Sequence, residues 1–241
     1  MQLSDYLEST VSDSARIAEL ARGDLAAPIP PCPGWTLGDL VDHVSAVYRM
    51  VTHALTHGAR PETFAERPDG VGVADFYDES VAGVMAAFAA TDPAAPSWNW
   101  SVGDQVASFW WRRMAQESAV HRWDAESATG VSAPIDGVVA ADGIDEWFDV
   151  HVRSDAAGDE IPVPTVKGSL HVHCTDVDGE WWAKLDGRAL DLDRSHRKGD
   201  AVLRGAASDI LLALWGRVPV ASVEVIGDRS VLDDWLATPD I

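Results

Sequence analysis

The stretch Phe109-Trp110-Trp111-Arg112-Arg113-Met114-Ala115-Gln116-Glu117-Ser118-Ala119-Val120-His121-Arg122-Trp123-Asp124-Ala125-Glu126 decides how this chain is read. It contains no Gly or Pro and predicts a single helix. Val106, Trp110, Met114, Glu117, His121 and Ala125 follow one another at steps of three or four, so they share one face. The apolar members turn that face toward a core. Glu117 and His121 therefore stand where a helix ordinarily buries Leu. A carboxylate buried without a partner is costly, so something must compensate it. A divalent metal would do so, because Glu and His at i and i+4 point the same way and can ligate one ion. A plain Glu–His hydrogen bond, or a wetter helix end, would also account for the pair. A third ligand on another helix is what separates these readings.

The rest of the chain supplies candidate helices. Leu3, Leu7, Val11, Ala15 and Ala18 predict a first amphipathic helix over 3–22, ended by Gly23. The Pro-rich run 26–34 cannot continue it. Thr36-Leu37-Gly38-Asp39 has capping-box spacing with Asp in place of Glu or Gln. It opens a second helix to about residue 57, with Leu37, Leu40, Val41, Val44, Tyr48, Val51 and Leu55 as its stripe. His43 falls at the edge of that stripe, where a lone histidine is most simply a partly exposed one. A third helix is expected over 74–90 and the fourth over 104–127. Four helices of this length imply a bundle, and bundles build metal sites from inward side chains of facing helices. His43 can then meet Glu117 and His121. Two imidazoles and one carboxylate with a vacant position is the pattern of a catalytic zinc. Whether the two faces meet is a matter for the fold.

After Gly130 the texture changes, and the segments from 154 on read as a small α+β domain. A helix, or two short ones, is expected over 135–153 and a linker over 155–167. Strands are expected over 169–174, 180–185, 189–192, 201–204 and 222–226, with helices over 208–215 and 230–236. Asp178-Gly179 marks a hairpin. The expected domains are 1–153 and 154–241. His171 and His173 share one strand face and could ligate a metal. With no acidic or Cys partner at an obvious spacing, a solvated strand face is the simpler reading.

At 241 residues the chain has ample length for real cores, and 46% hydrophobic with 24% charged residues is ordinary for a globular protein. The balance of 18 basic against 39 acidic residues gives a formal charge of −21, which argues against nucleic acid or an anionic membrane surface as partner. No run approaches the ~18 apolar residues of a membrane span, and the N-terminus has no secretory pattern. A cytoplasmic protein is expected, with Cys32 and Cys174 reduced and unpaired. Cys32, after a Pro-Pro turn, reads as structural. Of eleven Trp, some must be core; Trp35, Trp98, Trp100, Trp110 and Trp123 are candidates to wall a pocket, core packing being the simpler role for each.

Pro31-Cys32-Pro33-Gly34-Trp35-Thr36-Leu37-Gly38-Asp39-Leu40-Val41-Asp42-His43 resembles the motif opening the second helix of the mycothiol-dependent maleylpyruvate isomerase family. The Arg-Arg-Met-x-x-Glu-x-x-x-His-Arg-Trp-Asp core within 112–124 resembles its second signature. Residues 142–147 and 213–217 are similar to its later motifs, so the resemblance covers nearly the whole chain. It implies a DinB-like four-helix bundle followed by a small α+β domain like sterol-carrier proteins. It implies a divalent ion, usually Zn²⁺, on His43, Glu117 and His121, the triad that the helix faces also suggest. It implies mycothiol, the thiol of actinobacteria, as co-substrate. It also implies a catalytic arginine in the C-terminal domain, best matched by Arg217 and next by Arg204. An Arg would suit a carboxylate substrate in so acidic a chain, although a residue there also suits a helix end, satisfying carbonyls.

The expected activity is that of a metal-dependent, mycothiol-using isomerase or S-transferase acting on a small electrophilic, carboxylate-bearing metabolite. The expected partners are that substrate and the thiol, on a monomer or homodimer. The alternatives are a zinc-dependent hydrolase on the same scaffold and a non-catalytic metal- or ligand-binding protein, which retention of all three ligands weighs against. Asp124, three residues past His121, could orient a metal ligand; a surface acid paired with Arg122 or Arg113 is the preferred reading.

Overall fold

The computed structural model describes residues 1–157 and 166–237. They form two compact units, residues 1–100 with 104–133, and residues 101–103 with 134–241. The first is an all-helical bundle and the second a small mixed-sheet domain.

The bundle comprises α1 (Leu3–Leu20), α2 (Leu37–His57), α3 (Val73–Ala90) and α4 (Phe109–Ser127). Helix α1 packs on α4, and α2 on both α3 and α4. The capping box at the start of α2 is present: Asp39 N–H donates to Thr36 Oγ1, and Thr36 N–H donates to Asp39 Oδ2 at 2.9 Å. Gly58, at φ +68°, closes the helix in the left-handed conformation that favours glycine. Leu40, Val44, Tyr48 and Val51 of α2 meet Trp110 and Met114 of α4 in the core. At its centre Ser118 donates to the Met114 carbonyl, 2.6 Å away. Its hydrogen is thus committed, so Tyr48 donates to Ser118 and Ser14 of α1 donates to Tyr48, each at 2.7 Å. Three helices are tied through one buried hydroxyl chain. A second tie is ionic: the Arg122 guanidinium reaches Asp13, Glu126 and the Ala133 carbonyl, and Arg16 also reaches Glu126.

The fourth helix starts later than the periodicity implies. Val106 lies outside it, bridged to Pro96, and Asn99 and Gln105 close the loop by reciprocal hydrogen bonds.

In the second unit α5 (Gly137–Glu146) runs through a π-helical turn (Trp147–Val152) into α6 (Arg153–Ala157). This helical segment was expected with the bundle. It groups instead with the sheet domain, because α5 buries Val139 and Ile144 and packs on α7 (Ala207–Leu214). The linker expected over 155–167 is helical through residue 157, and its residues 158–165 lie outside those described. Strands β1 (Ser169–Cys174), β2 (Glu180–Asp186), β3 (Ala189–Asp193), β4 (Ala201–Gly205) and β5 (Glu224–Gly227) form one sheet in the order β3-β2-β1-β4-β5. Only the β1–β4 pairing is parallel. Helix α7 and α8 (Arg229–Leu236) pack on it. The strand expected from residue 222 begins at 224, after a 3₁₀ turn. No helix among the described residues is long and apolar enough to cross a membrane. Both cysteines are free, and burial pushes the Cys174 thiol up to about 12.

Candidate metal centre

Helix α4 presents Glu117 and His121 on the face it turns to α2, and α2 presents His43 from the edge of its apolar stripe. Glu117 Oε1 lies 3.2 Å from His121 Nε2 and 3.5 Å from His43 Nε2. The two imidazole rings stand edge to face, with centroids 5.1 Å apart. One donor atom from each of the three residues falls within 4.8 Å of the others. Donors at about 2.0–2.1 Å from a common tetrahedral zinc stand about 3.4 Å apart, so the two carboxylate–imidazole separations suit such an ion.

The neighbours give each ligand its orientation. His121 Nδ1–H donates to Asp124 Oδ2 at 3.0 Å, which leaves Nε2 to face Glu117. Asp124 is fully buried. It is thus not the surface acid expected: one helical turn on the buried face of α4 puts it behind His121. Arg113, buried one turn before Glu117, places Nη2 3.5 Å from Glu117 Oε2. The carboxylate therefore offers Oε1 to the histidines and Oε2 to the guanidinium. Sequence reading missed Arg113 in this role, although its i,i+4 spacing to Glu117 was the available signal. Side-chain exposure falls from 39% at His43 through 16% at Glu117 to 9% at His121, so the triad opens to solvent on the His43 side. There Trp35 stands against His43, ring centroids 5.1 Å apart. Trp110 is wholly core, its indole N–H donating to the Trp98 carbonyl.

Burial raises the Glu117 carboxyl, but His121, His43 and Arg113 overcome it and hold the group well below the usual carboxylate range. Burial likewise opposes the His121 imidazolium, while Glu117 and Asp124 together raise it to about 9. Without a cation the site is thus held together by a proton on His121, and a metal would take that proton's place.

The family model described as "Mycothiol maleylpyruvate isomerase N-terminal domain" matches residues 9–126, and "MDMPI C-terminal domain" matches residues 138–234. The chain belongs to the mycothiol-dependent maleylpyruvate isomerase family. Two uncharacterized proteins of Mycobacterium tuberculosis, from strains CDC 1551 / Oshkosh and ATCC 25618 / H37Rv, are each 26% identical over 129 residues, which cover 54% of this chain and 68% of theirs. Crystal structures of the mycothiol-dependent maleylpyruvate isomerase and of a His-to-Ala mutant share the fold. Each superposes with a TM-score of 0.65 at 14% identity over 93% of both chains.

In this family member, Arg217 follows α7. Its Nη1 donates to the Trp215 carbonyl at 2.9 Å, a local helix-end contact. Arg204 on β4 pairs with Glu224 on β5 at 3.0 Å.

Proposed function

We propose that His43, Glu117 and His121 hold one divalent cation, Zn²⁺. The protein would use it with mycothiol as an isomerase or S-transferase acting on a small electrophilic metabolite that bears a carboxylate. The observation that carries this reading is the approach of two imidazoles from different helices to one carboxylate oxygen, with Asp124 behind the deeper histidine. The family supports the thiol. When bound, such an ion supplies a Lewis-acid charge that lowers the pKa of a coordinating thiol.

The chain's own residues do the rest. Asp124 keeps a proton on His121 Nδ1 and frees Nε2 for the cation. Arg113 holds Glu117 Oε2 and so directs Oε1. The buried side of the triad excludes water, and the exposed side, next to Trp35, admits ligands. In isomerisation the thiolate adds to an electrophilic double-bond carbon, the resulting single bond rotates, and loss of the same thiolate restores the double bond in the other geometry. The thiol is regenerated and no redox change occurs. In S-transfer it stays on carbon, and the neighbouring carbon, which holds the electron pair of the former double bond, takes up the proton lost by the thiol. Arg217 is our candidate to hold the substrate carboxylate.

The test is metal content and mycothiol-dependent turnover of maleylpyruvate, measured together. Glu117→Gln and His121→Ala should lose both. Full activity with less than about a tenth of an equivalent of metal refutes the reading. Turnover that ignores the thiol points to hydrolysis.

A further inference from the structure

The sheet domain holds a second group of ligating side chains. His171 and His173 are two residues apart on β1 and share the sheet face opposite Leu170 and Val172. The hairpin register sets Glu180 of β2 directly across from His173. His196 comes from the loop between β3 and β4. One donor atom from each of the four lies within 4.8 Å of the others. His196 Nδ1 is 2.7 Å from Glu180 Oε1, His173 Nδ1 is hydrogen-bonded to the same oxygen, and His171 Nε2 lies 3.6 Å from it.

His171 is not on a solvated strand face. It is 6% exposed, and its Nε2 has no hydrogen-bond partner. A buried ring nitrogen left unsatisfied is costly. This one points to the carboxylate oxygen that already engages two other imidazoles. Protons can serve two of these contacts through the two lone pairs of one oxygen, and the third nitrogen is left over. A cation among the four satisfies all of them at once. The loop is seated close on the strand: a Cβ at Gly199 would meet the backbone N of His171 at 2.8 Å. Asp200 accepts from both the backbone N–H and the hydroxyl of Ser169, at 2.8 Å each.

We propose that His171, His173, Glu180 and His196 form a second metal site, for a borderline transition-metal dication such as Zn²⁺. Three imidazoles and one carboxylate favour that class over Mg²⁺ or Ca²⁺. Four protein ligands complete a tetrahedral shell, so the site is structural: it clamps the 194–200 loop to strands β1 and β2. His196, with its side chain 77% exposed, is the ligand that closes over the ion from solution. The site shares no residue with the bundle triad, so either can fail without the other.

The test is Zn²⁺ titration of chelator-stripped protein in a Glu117→Gln, His121→Ala background, with circular dichroism to check folding. One equivalent should bind and raise the melting temperature. His196→Ala, on an exposed loop, and Glu180→Gln should each weaken binding at least about tenfold and remove the thermal shift. Should the background not fold, wild type should bind two equivalents and His196→Ala one. Absence of stoichiometric uptake overturns the proposal. So does uptake that survives both His171→Ala and His196→Ala, because it would report other histidines.

Discussion

Asp124 carries no ligand atom of the bundle triad, yet its removal should change metal binding in a pH-dependent way. Its buried carboxylate accepts from His121 Nδ1–H at 3.0 Å. Loss of such a partner weakens metal binding by about 10–100-fold, or about 1.4–2.7 kcal/mol. A second effect has the opposite sign. Asp124 also helps raise the His121 imidazolium to about 9, behind burial, which opposes it, and Glu117. Below that pH the cation must displace the proton, so each pKa unit lost in the variant returns up to about tenfold in apparent affinity. The deficit of Asp124→Asn should therefore be largest at about pH 9.5, where the proton no longer competes, and smaller at about pH 7. Competition against a chromophoric chelator at both pH values reads this directly, with Asp124→Ala as the harsher change. Binding within about twofold of wild type at the higher pH, in both variants, would refute the assigned role. So would a deficit that grows toward neutral pH.

The metal-free protein should lose stability as pH rises from 6.5 through about 9. The His121 imidazolium has a higher pKa folded than unfolded, so its contribution is complete below 6.5 and gone above the folded value. Saturating Zn²⁺ should abolish that slope, and calorimetry across the range checks both. Tyr48→Phe should destabilise the bundle by about 1–3 kcal/mol, because it leaves Ser14 and Ser118 short of a buried partner; denaturant unfolding measures it. Arg122→Ala should destabilise the α1–α4 interface by about 3 kcal/mol, because Asp13 loses its arginine there while Glu126 keeps Arg16. Arg217→Lys should raise KM for a carboxylate substrate more than it lowers kcat; equal loss in both, or none, removes Arg217 from substrate binding.

Much of the fold was legible because its signals are local. The stripe of α2 with its capping box, the apolar positions of α4, and Asp178-Gly179 between two alternating runs each depend on residues a few positions apart. The same locality exposed Glu117 and His121 as misfits on an apolar face. It failed where neighbours in space are distant in sequence, or where a face is buried by something unseen. Asp124 looked like a surface acid because nothing nearby in the chain reveals that its side of α4 is buried. His171 looked solvated because the loop covering it lies about two dozen residues downstream. The helical segment after Gly130 was grouped with the first domain because its apolar stripe does not say which partner it packs on.

Periodicity and capping chemistry thus determined from sequence which segments are helix and strand, and that α4 turns Glu117 and His121 inward. Only the tertiary structure decided that His43 meets Glu117 and His121, that Arg113 and Asp124 orient them, and that a hairpin and a loop gather three histidines around Glu180. The reason is that a residue's spacing sets its direction on its own element, whereas ligation depends on distances between elements, and those are set by how whole faces pack.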